Sequence, residues 1–168
     1  AALRTGAGMV KIQTVEENRI PLQILLPEAM VCSRFDEESN EQLLSWCDVI
    51  VIGPGLGTSV ASRERAQWFL TAAAREKKPL ILDADGLNLL SKNPTWKKYF
   101  HGSQVICTPH LGEMSRLSEE FMSKKPESSR SLSEKQVSRL SIPEIQKDLI
   151  GTAEKFAMQN GVVCVLKD

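Results

Sequence analysis

The sequence predicts an α/β fold built on a mostly parallel sheet. Short apolar runs rich in β-branched residues alternate along the chain with segments whose apolar residues recur at helical spacing. This alternation is typical of parallel strands joined by right-handed helical crossovers. A glycine-rich turn at residues 53–57 directly follows one of the apolar runs. Because ligands of open α/β sheets bind at the carboxyl ends of strands, we expect a ligand site there.

Apolar runs define the predicted strands. Residues 48–52 show no polar alternation, which is typical of a strand covered on both faces. Further strands are expected at residues 9–15, 79–83, 104–108 and 161–166, and a loop or strand start at residues 27–31. Pro21 favours an edge strand or a loop for the apolar run at residues 20–26.

Helical spacing is clearest at residues 59–77, where an apolar stripe is flanked by charged residues. Further helices are expected at residues 38–46, 86–91 and 143–159, and a helix start at residues 112–119. The polar tract at residues 123–141, rich in Ser, Lys and Glu, predicts a surface insertion or a mobile loop.

Composition argues against several classes of protein. Basic and acidic residues number 21 each, which disfavours a general nucleic-acid binder. No apolar run reaches the roughly 20 residues needed to span a bilayer. The four cysteines form no Cys-x-x-Cys pair, so we expect no zinc site, and Cys107 and Cys164 are predicted to be buried free thiols. Free thiols favour a reducing compartment, cytoplasmic or, in a eukaryote, mitochondrial.

Glycine and polar residues directly follow three of the predicted strands. They are Gly53, Gly55 and Gly57, then Asp83, Asp85 and Asn88, and finally the loop that begins at His110. In a parallel sheet these three strand ends lie on one edge, so the residues are expected to converge on one cleft. The alternative for residues 53–57 is a tight strand-to-helix turn without a ligand.

Each charged candidate also has a structural interpretation. Asp83 and Asp85 suit Mg²⁺ bound through its waters or a ribose hydroxyl, but either could cap the following helix. His110 could donate to a ligand oxygen, transfer a proton or be structural. Glu113 could bind a ligand or complete a capping box. Lys167 ends a predicted strand, where it could reach a phosphate or simply extend into solvent.

Five short segments of the chain form a recognisable series. They are ALRTGAGMV at residues 2–10, VIGPGLG at 51–57, PLILDADGLNLL at 79–90, TPHLGE at 108–113 and VCVLK at 163–167. In this order they resemble the ADP/ATP-dependent NAD(P)H-hydrate dehydratase family of the ribokinase-like clan. The resemblance covers nearly the whole chain apart from the polar tract. It implies one domain with a three-layer α/β/α ribokinase-like fold, a mostly parallel central sheet, and both ends incomplete.

The resemblance also implies an activity and a set of site residues. Members repair hydrated NADH or NADPH: ADP or ATP phosphorylates the added hydroxyl, Mg²⁺ accompanies the nucleotide, and phosphate elimination restores the nicotinamide ring. By position, the dinucleotide would contact Gly57, His110, Leu111, Gly112, Glu113, Met114, Ser115 and Arg116. Lys167 would bind the nucleotide. Members often form tetramers, and some are fused to an epimerase domain.

The chain departs from the family's pattern at several positions. The catalytic aspartate belongs to a Gly-Thr-Gly-Asp segment expected beyond Lys167, and a strand with a glycine-rich loop is expected before Ala1. Leu111 replaces a common proline, Gly86 a common alanine and Asp168 a common glycine. We therefore expect the 168 residues to bind part of the ligand without turnover, and the full-length parent to be active.

Two other functions are alternatives, although a kinase is not expected to carry TPH at residues 108–110 together with DADGLN at residues 83–88. A ribokinase-like kinase of a vitamin precursor or sugar would share the fold and the phosphoryl chemistry. A non-catalytic nucleotide-binding module would keep the cleft and lack the catalytic segment. Product analysis separates the enzymes, because the kinase leaves a stable phosphorylated product whereas the dehydratase releases phosphate.

Overall fold

The computed structural model describes residues 2–118 and 139–168. Within it the chain forms two compact units, Ala1–Trp46 and Cys47–Asp168. Most of the polar tract predicted as an insertion or mobile loop lies outside the described residues. None of the helices in the described ranges is long and apolar enough to cross a membrane.

The first unit contains a two-stranded parallel sheet. Strands β1 (Lys11–Gln13) and β2 (Met30–Cys32) pair with Ile12 opposite Val31. The unit's helical elements are the 3₁₀ turns Ala2–Thr5 and Glu16–Asn18 and the helices α1 (Arg19–Leu25) and α2 (Glu37–Trp46). The strand near residues 9–15 and the helix near residues 38–46 are thereby confirmed.

Helix α1 replaces the edge strand or loop predicted from Pro21, so that prediction was wrong. Pro21 occupies the third residue of the helix, directly after the 3₁₀ turn Glu16–Asn18. In the first turn of a helix a backbone N–H has no intrahelical acceptor, so a proline there removes no hydrogen bond. The position of the proline within the segment, rather than its presence, decides the structure.

The second unit is a four-stranded, entirely parallel sheet whose strands follow chain order. The strands are β3 (Ile50–Ile52), β4 (Leu80–Leu82), β5 (Val105–Cys107) and β6 (Val163–Cys164). The helical elements are α3 (Val60–Glu76), α4 (Asp85–Lys92), the 3₁₀ helix Pro94–Phe100, α5 (Leu111–Leu117), α6 (Ile142–Lys147) and α7 (Leu149–Asn160). The predicted α/β fold with parallel strands is confirmed.

The single helix predicted at residues 143–159 is divided into α6 and α7. Asp148, with φ −148° and ψ 73°, separates the two helices. Its carboxylate accepts a hydrogen bond from the Gly151 amide at 2.9 Å, which caps the start of α7. The amphipathic pattern continued through the break and therefore concealed it.

The two faces of the sheet differ in burial. Alternate residues of the strands form one buried row that includes Ile52, Leu82 and Cys107, all at most 6% exposed. On the opposite face Val51 is 56% exposed and Val163 is 58% exposed. The prediction that residues 48–52 are covered on both faces was thus wrong for Val51, because β-branched residues favour strands whether or not they are buried.

None of the four cysteines, all within the described residues, forms a disulfide bond, and the predicted free thiols of Cys107 and Cys164 are confirmed. Cys107 is fully buried, and burial raises the pKa of its thiol to about 12. Cys164, its register partner on β6, is only half-buried, contrary to the prediction that both would be buried. Burial raises its pKa to about 11, so both thiols are protonated at neutral pH.

Candidate functional site

Backbone hydrogen bonds join the three strand ends at one edge of the sheet. The Asp83 amide donates to the carbonyl of Ile52 at 3.1 Å, and the Thr108 amide donates to the carbonyl of Leu82 at 3.0 Å. The Lys167 amide continues the series by donating to Pro109 at 2.8 Å. The predicted convergence of the loops that follow these strands is therefore confirmed.

The glycine loop and the start of α4 are in direct backbone contact. A Cβ on Gly53, whose φ is 131°, would lie 1.7 Å from the Asp83 carbonyl oxygen. A Cβ on Gly86 would lie 2.5 Å from the Ile52 carbonyl oxygen. Neither position accepts a side chain in this backbone, so the glycine at 86 allows α4 to approach the end of β3.

The segment from Asp83 to Gly86 forms a tight turn around a strained residue. The Gly86 amide donates to the Asp83 carbonyl at 2.9 Å. Ala84 has φ 45° and ψ −118°, close to the first central residue of a type II′ turn, where glycine is usual. Such backbone strain is concentrated at functional sites. Sequence reasoning missed this residue because alanine gives no signal of a positive φ.

Asp83 forms an ion pair with Lys167. Its Oδ1 lies 2.7 Å from the Lys167 Nζ, and both side chains are part-exposed. Partial burial raises the pKa of Asp83, but hydrogen bonds from Lys167 and Thr108 outweigh it, so the pKa lies below its ordinary value. The two candidates from separate strand ends are thereby joined.

Asp85 links α4 to the glycine loop. Its Oδ2 accepts from the Gly57 amide at 2.9 Å, and its Oδ1 accepts from Asn88 Nδ2 at 3.1 Å. The capping interpretation was wrong, because Ala84 holds the N-cap position and Asp85 is the first residue of α4. Asn88 Oδ1 in turn accepts from Arg116 Nε on α5 at 2.9 Å.

His110 caps α5 and is held by Glu113. Its Nδ1 accepts from the Gly112 amide at 3.0 Å, while Glu113 Oε2 accepts from the His110 amide at 2.9 Å. The predicted capping-box interpretation of Glu113 is confirmed. Since Nδ1 accepts, the proton of a neutral ring resides on Nε2, which lies 3.3 Å from Glu113 Oε1. Glu113 is 4% exposed, whereas the His110 side chain is 53% exposed.

The remaining residues of this loop differ in accessibility. Met114 is fully buried in the core. The Ser115 hydroxyl donates to the Leu140 carbonyl at 2.6 Å. Leu111 begins α5 and is part-buried. Side-chain contact with a ligand from this loop is therefore best supplied by His110 and Arg116.

No group of three or more His, Cys, Asp or Glu residues that could hold a metal ion occurs in the described part of the chain. Both carboxylates already have partners, since Asp83 is paired with Lys167 and Asp85 accepts from the Gly57 amide. They therefore do not fit a magnesium site built by the protein alone.

Comparison with known proteins places these features in a family context. The sequence profile of a family described as NAD(P)H-hydrate dehydratase matches residues 1–168. The bifunctional NAD(P)H-hydrate repair enzyme Nnr of Escherichia coli is 37% identical over 167 residues, covering 99% of this chain and 27% of that protein. The ADP-dependent (S)-NAD(P)H-hydrate dehydratase of Lactiplantibacillus plantarum is 36% identical over 118 residues, covering 70% of this chain and 41% of that protein. The chain thus spans less than half the length of either relative.

Solved structures agree in fold. A ribokinase-like superfamily protein from Enterococcus faecalis superposes with a TM-score of 0.69 at 25% identity, covering 99% of this chain and 50% of that one. A hypothetical protein, SMU.573, from Streptococcus mutans gives a TM-score of 0.71 at 24% identity, with 99% and 51% covered. The ribokinase-like fold predicted from the sequence is confirmed.

Proposed function

The chain belongs to the NAD(P)H-hydrate dehydratase family, and from this premise we propose that the full-length protein dehydrates hydrated NADH or NADPH at the expense of ADP or ATP. The observation that supports this most strongly is the meeting of the glycine loop, His110, Arg116 and Lys167 at one sheet edge. Both substrates carry phosphate groups, and this edge presents two cations and an open glycine loop to them.

The reaction proceeds by phosphoryl transfer followed by elimination. The added hydroxyl of the hydrated nicotinamide attacks the terminal phosphorus of the nucleotide, forming a phosphate ester and releasing ADP from ATP or AMP from ADP. Loss of a neighbouring proton and departure of phosphate then restore the ring double bond. The sum is loss of water from the dinucleotide and gain of water by the nucleotide, and no electron is transferred to an external acceptor.

In this proposal the dinucleotide lies against Gly57 and the loop from His110 to Arg116. Arg116 supplies a guanidinium that pairs with phosphate oxygens in a planar geometry. The half-exposed ring of His110, whose orientation is fixed by Gly112 and Glu113, supplies a second contact. Leu111 and Gly112 contribute backbone groups.

Lys167 is proposed to hold a phosphate of the nucleotide. An ammonium group has three N–H donors, and the ion pair with Asp83 occupies one of them. The others remain for a phosphate at the carboxyl end of β6. Asp83 thereby orients the lysine side chain without occupying all of its N–H donors.

Mg²⁺ is proposed to accompany the nucleotide phosphates, in keeping with its usual retention of several waters. We further propose a homo-oligomer, by the family resemblance a tetramer. A cytoplasmic location is proposed because none of the four cysteines in the described residues forms a disulfide bond, and thiols outside disulfide bonds persist in reducing compartments.

The test uses the full-length protein with hydrated NADH, Mg²⁺ and either ADP or ATP. Absorbance of the reduced nicotinamide and released phosphate are followed together. Nucleotide-dependent recovery of absorbance with equal release of phosphate is expected. A stable phosphorylated product without recovery would instead identify a small-molecule kinase, and nucleotide binding without any turnover would identify a binding module.

A further inference from the structure

A continuous chain of hydrogen bonds crosses the site from α5 to the glycine loop. Arg116 Nε donates to Asn88 Oδ1 at 2.9 Å, and Asn88 Nδ2 donates to Asp85 Oδ1 at 3.1 Å. The other oxygen of Asp85 accepts from the Gly57 amide at 2.9 Å. Four residues from three strand-end segments are thus connected by three bonds, and the two outer residues lie 59 positions apart in sequence, at 57 and 116.

The chain of hydrogen bonds has a fixed donor-to-acceptor direction from Arg116 to Asp85. Arginine has only donors and an ionised aspartate has only acceptors, so the Asn88 amide must present its oxygen to Arg116 and its nitrogen to Asp85. A rotated amide would oppose donor to donor at Arg116 and acceptor to acceptor at Asp85. Asn88 therefore acts as the adaptor between a cation and an anion that do not touch.

The guanidinium of Arg116 keeps most of its donors for another group. Arginine carries five N–H donors, and the bond to Asn88 uses the one on Nε. Among residues 2–118 and 139–168 the terminal nitrogens form no further hydrogen bond. Nη1 lies beside Gly112, 3.8 Å from where a Cβ would be placed.

The glycine loop, at the other end of this chain of hydrogen bonds, is open to a ligand. No atom lies within 4 Å of the position that a Cβ on Gly55 would occupy. The backbone there can be approached closely, as binding of a phosphate group requires. Asp85 holds this loop through Gly57 and leaves the surface at Gly55 clear.

On the basis of the proposed function, we infer that Asp85 and Asn88 are positioning residues for the phosphate groups of the hydrated dinucleotide. They hold the Arg116 guanidinium at a fixed separation from the glycine loop before the ligand arrives. A preset cation loses less side-chain freedom on binding, so affinity for the dinucleotide depends on two residues that need not touch it.

The test exchanges the two inner residues in the full-length protein. Asp85→Asn alone opposes two amide nitrogens, and Asn88→Asp alone opposes two carboxylates. Each single variant is expected to weaken affinity for hydrated NADH about tenfold or more, as for loss of a hydrogen bond to a charged group. In the double variant the reversed pair can re-form all three bonds, so affinity should return to within about threefold of the parent, since the charges and bonds are conserved.

Calorimetric affinity for hydrated NADH and for ADP is measured for all four proteins. Affinity for ADP is expected to change less than about twofold, because Lys167 lies outside the chain of bonds. Asp148→Asn is the matched control, since that aspartate also accepts from a glycine amide but caps α7 away from this site. Because asparagine is as favourable an N-cap as aspartate, this variant should leave the melting temperature and both affinities nearly unchanged.

The outcomes separate this inference from the proposed function. The positioning role is overturned if the double variant, with native circular dichroism, binds hydrated NADH no more tightly than the weaker-binding single variant. This holds even if the parent turns over hydrated NADH. Equal losses of ADP and dinucleotide affinity also overturn it. If the double variant regains dinucleotide binding but the parent shows no turnover, the positioning role is supported and only the proposed reaction is overturned. If the parent binds no dinucleotide, both are overturned.

Discussion

The Nζ atom of Lys167 lies 2.7 Å from Oδ1 of Asp83, although the two residues are 84 positions apart. The contact joins the loop after β4 to the chain beyond β6, across the intervening β5. Against the effect of partial burial, the hydrogen bond from Lys167 lowers the pKa of the Asp83 carboxyl, and the contact holds the lysine side chain at the sheet edge. A nucleotide phosphate would meet a lysine that is already in place.

Lys167→Ala in the full-length protein is expected to weaken ADP or ATP binding about tenfold or more, because it removes a charged hydrogen-bond donor. Affinity for hydrated NADH should fall less. Fluorescence or calorimetric titration measures both, with Lys155→Ala on the exposed face of α7 as the control. Unchanged ADP and ATP affinities would exclude the proposed role of Lys167.

The ion pair also predicts a pH dependence of stability. Since the folded-state pKa of Asp83 is depressed, the pair contributes stability that is present above the unfolded pKa near 3.8 and is lost as the pH falls through the folded pKa. The difference in free energy of unfolding between the parent and Asp83→Asn should therefore be largest near neutral pH and vanish in acid. Urea titrations across that range measure it, and a difference independent of pH would contradict the expectation.

Gly53→Ala is expected to prevent folding or to destabilise the protein by more than about 3 kcal/mol, the scale of strain plus overpacking. Its Cβ would overlap the Asp83 carbonyl oxygen. Gly55→Ala is the matched control, because it has a positive φ of 68° but open space around its Cβ, so it should cost only about 1 kcal/mol. Yield of folded protein and thermal melting compare the two, and equal effects would show that the backbone contact with Asp83 is unimportant.

His110→Asn separates the binding role of the histidine from its capping role. Asparagine is a favourable N-cap, so stability should stay within about 1 kcal/mol of the parent. Loss of the ring and of its Nε2–H should nevertheless weaken hydrated NADH binding more than ADP binding. Melting temperature and the two affinities are measured together; a variant with normal dinucleotide affinity would leave His110 with the capping role alone.

The positions of the strands and of the glycine loop could be predicted because their signals are local. Apolar runs located β3, β4 and β5, and the glycines after the first run marked the turn. Parallel topology then implied that the three ends meet. Pro21 was misread because its effect depends on whether it falls in the first turn of a helix, which the apolar pattern does not show.

The connections within the site could not be predicted in the same way. Asp85 has a capping position by local rules, but its carboxylate accepts from Gly57, 28 residues earlier. Arg116 meets Asn88 across another 28 residues. Such pairings depend on the separation of β3, β4 and α5 in space, and no periodicity along the chain encodes that separation.

The exposed valines of the sheet affect the solubility and yield of shortened versions of the protein. Val51 on β3 and Val163 on β6 belong to the outer row, whereas Ile50 and Ile52, the neighbours of Val51 in sequence, are buried in the core. We expect a version of the protein that leaves this row uncovered to self-associate more readily and to be recovered in lower yield. The substitution Val51→Thr keeps a β-branched residue in the strand and makes this face of the sheet more polar. The yield of protein should therefore improve, without any change to the glycine loop or to the carboxylates beyond it.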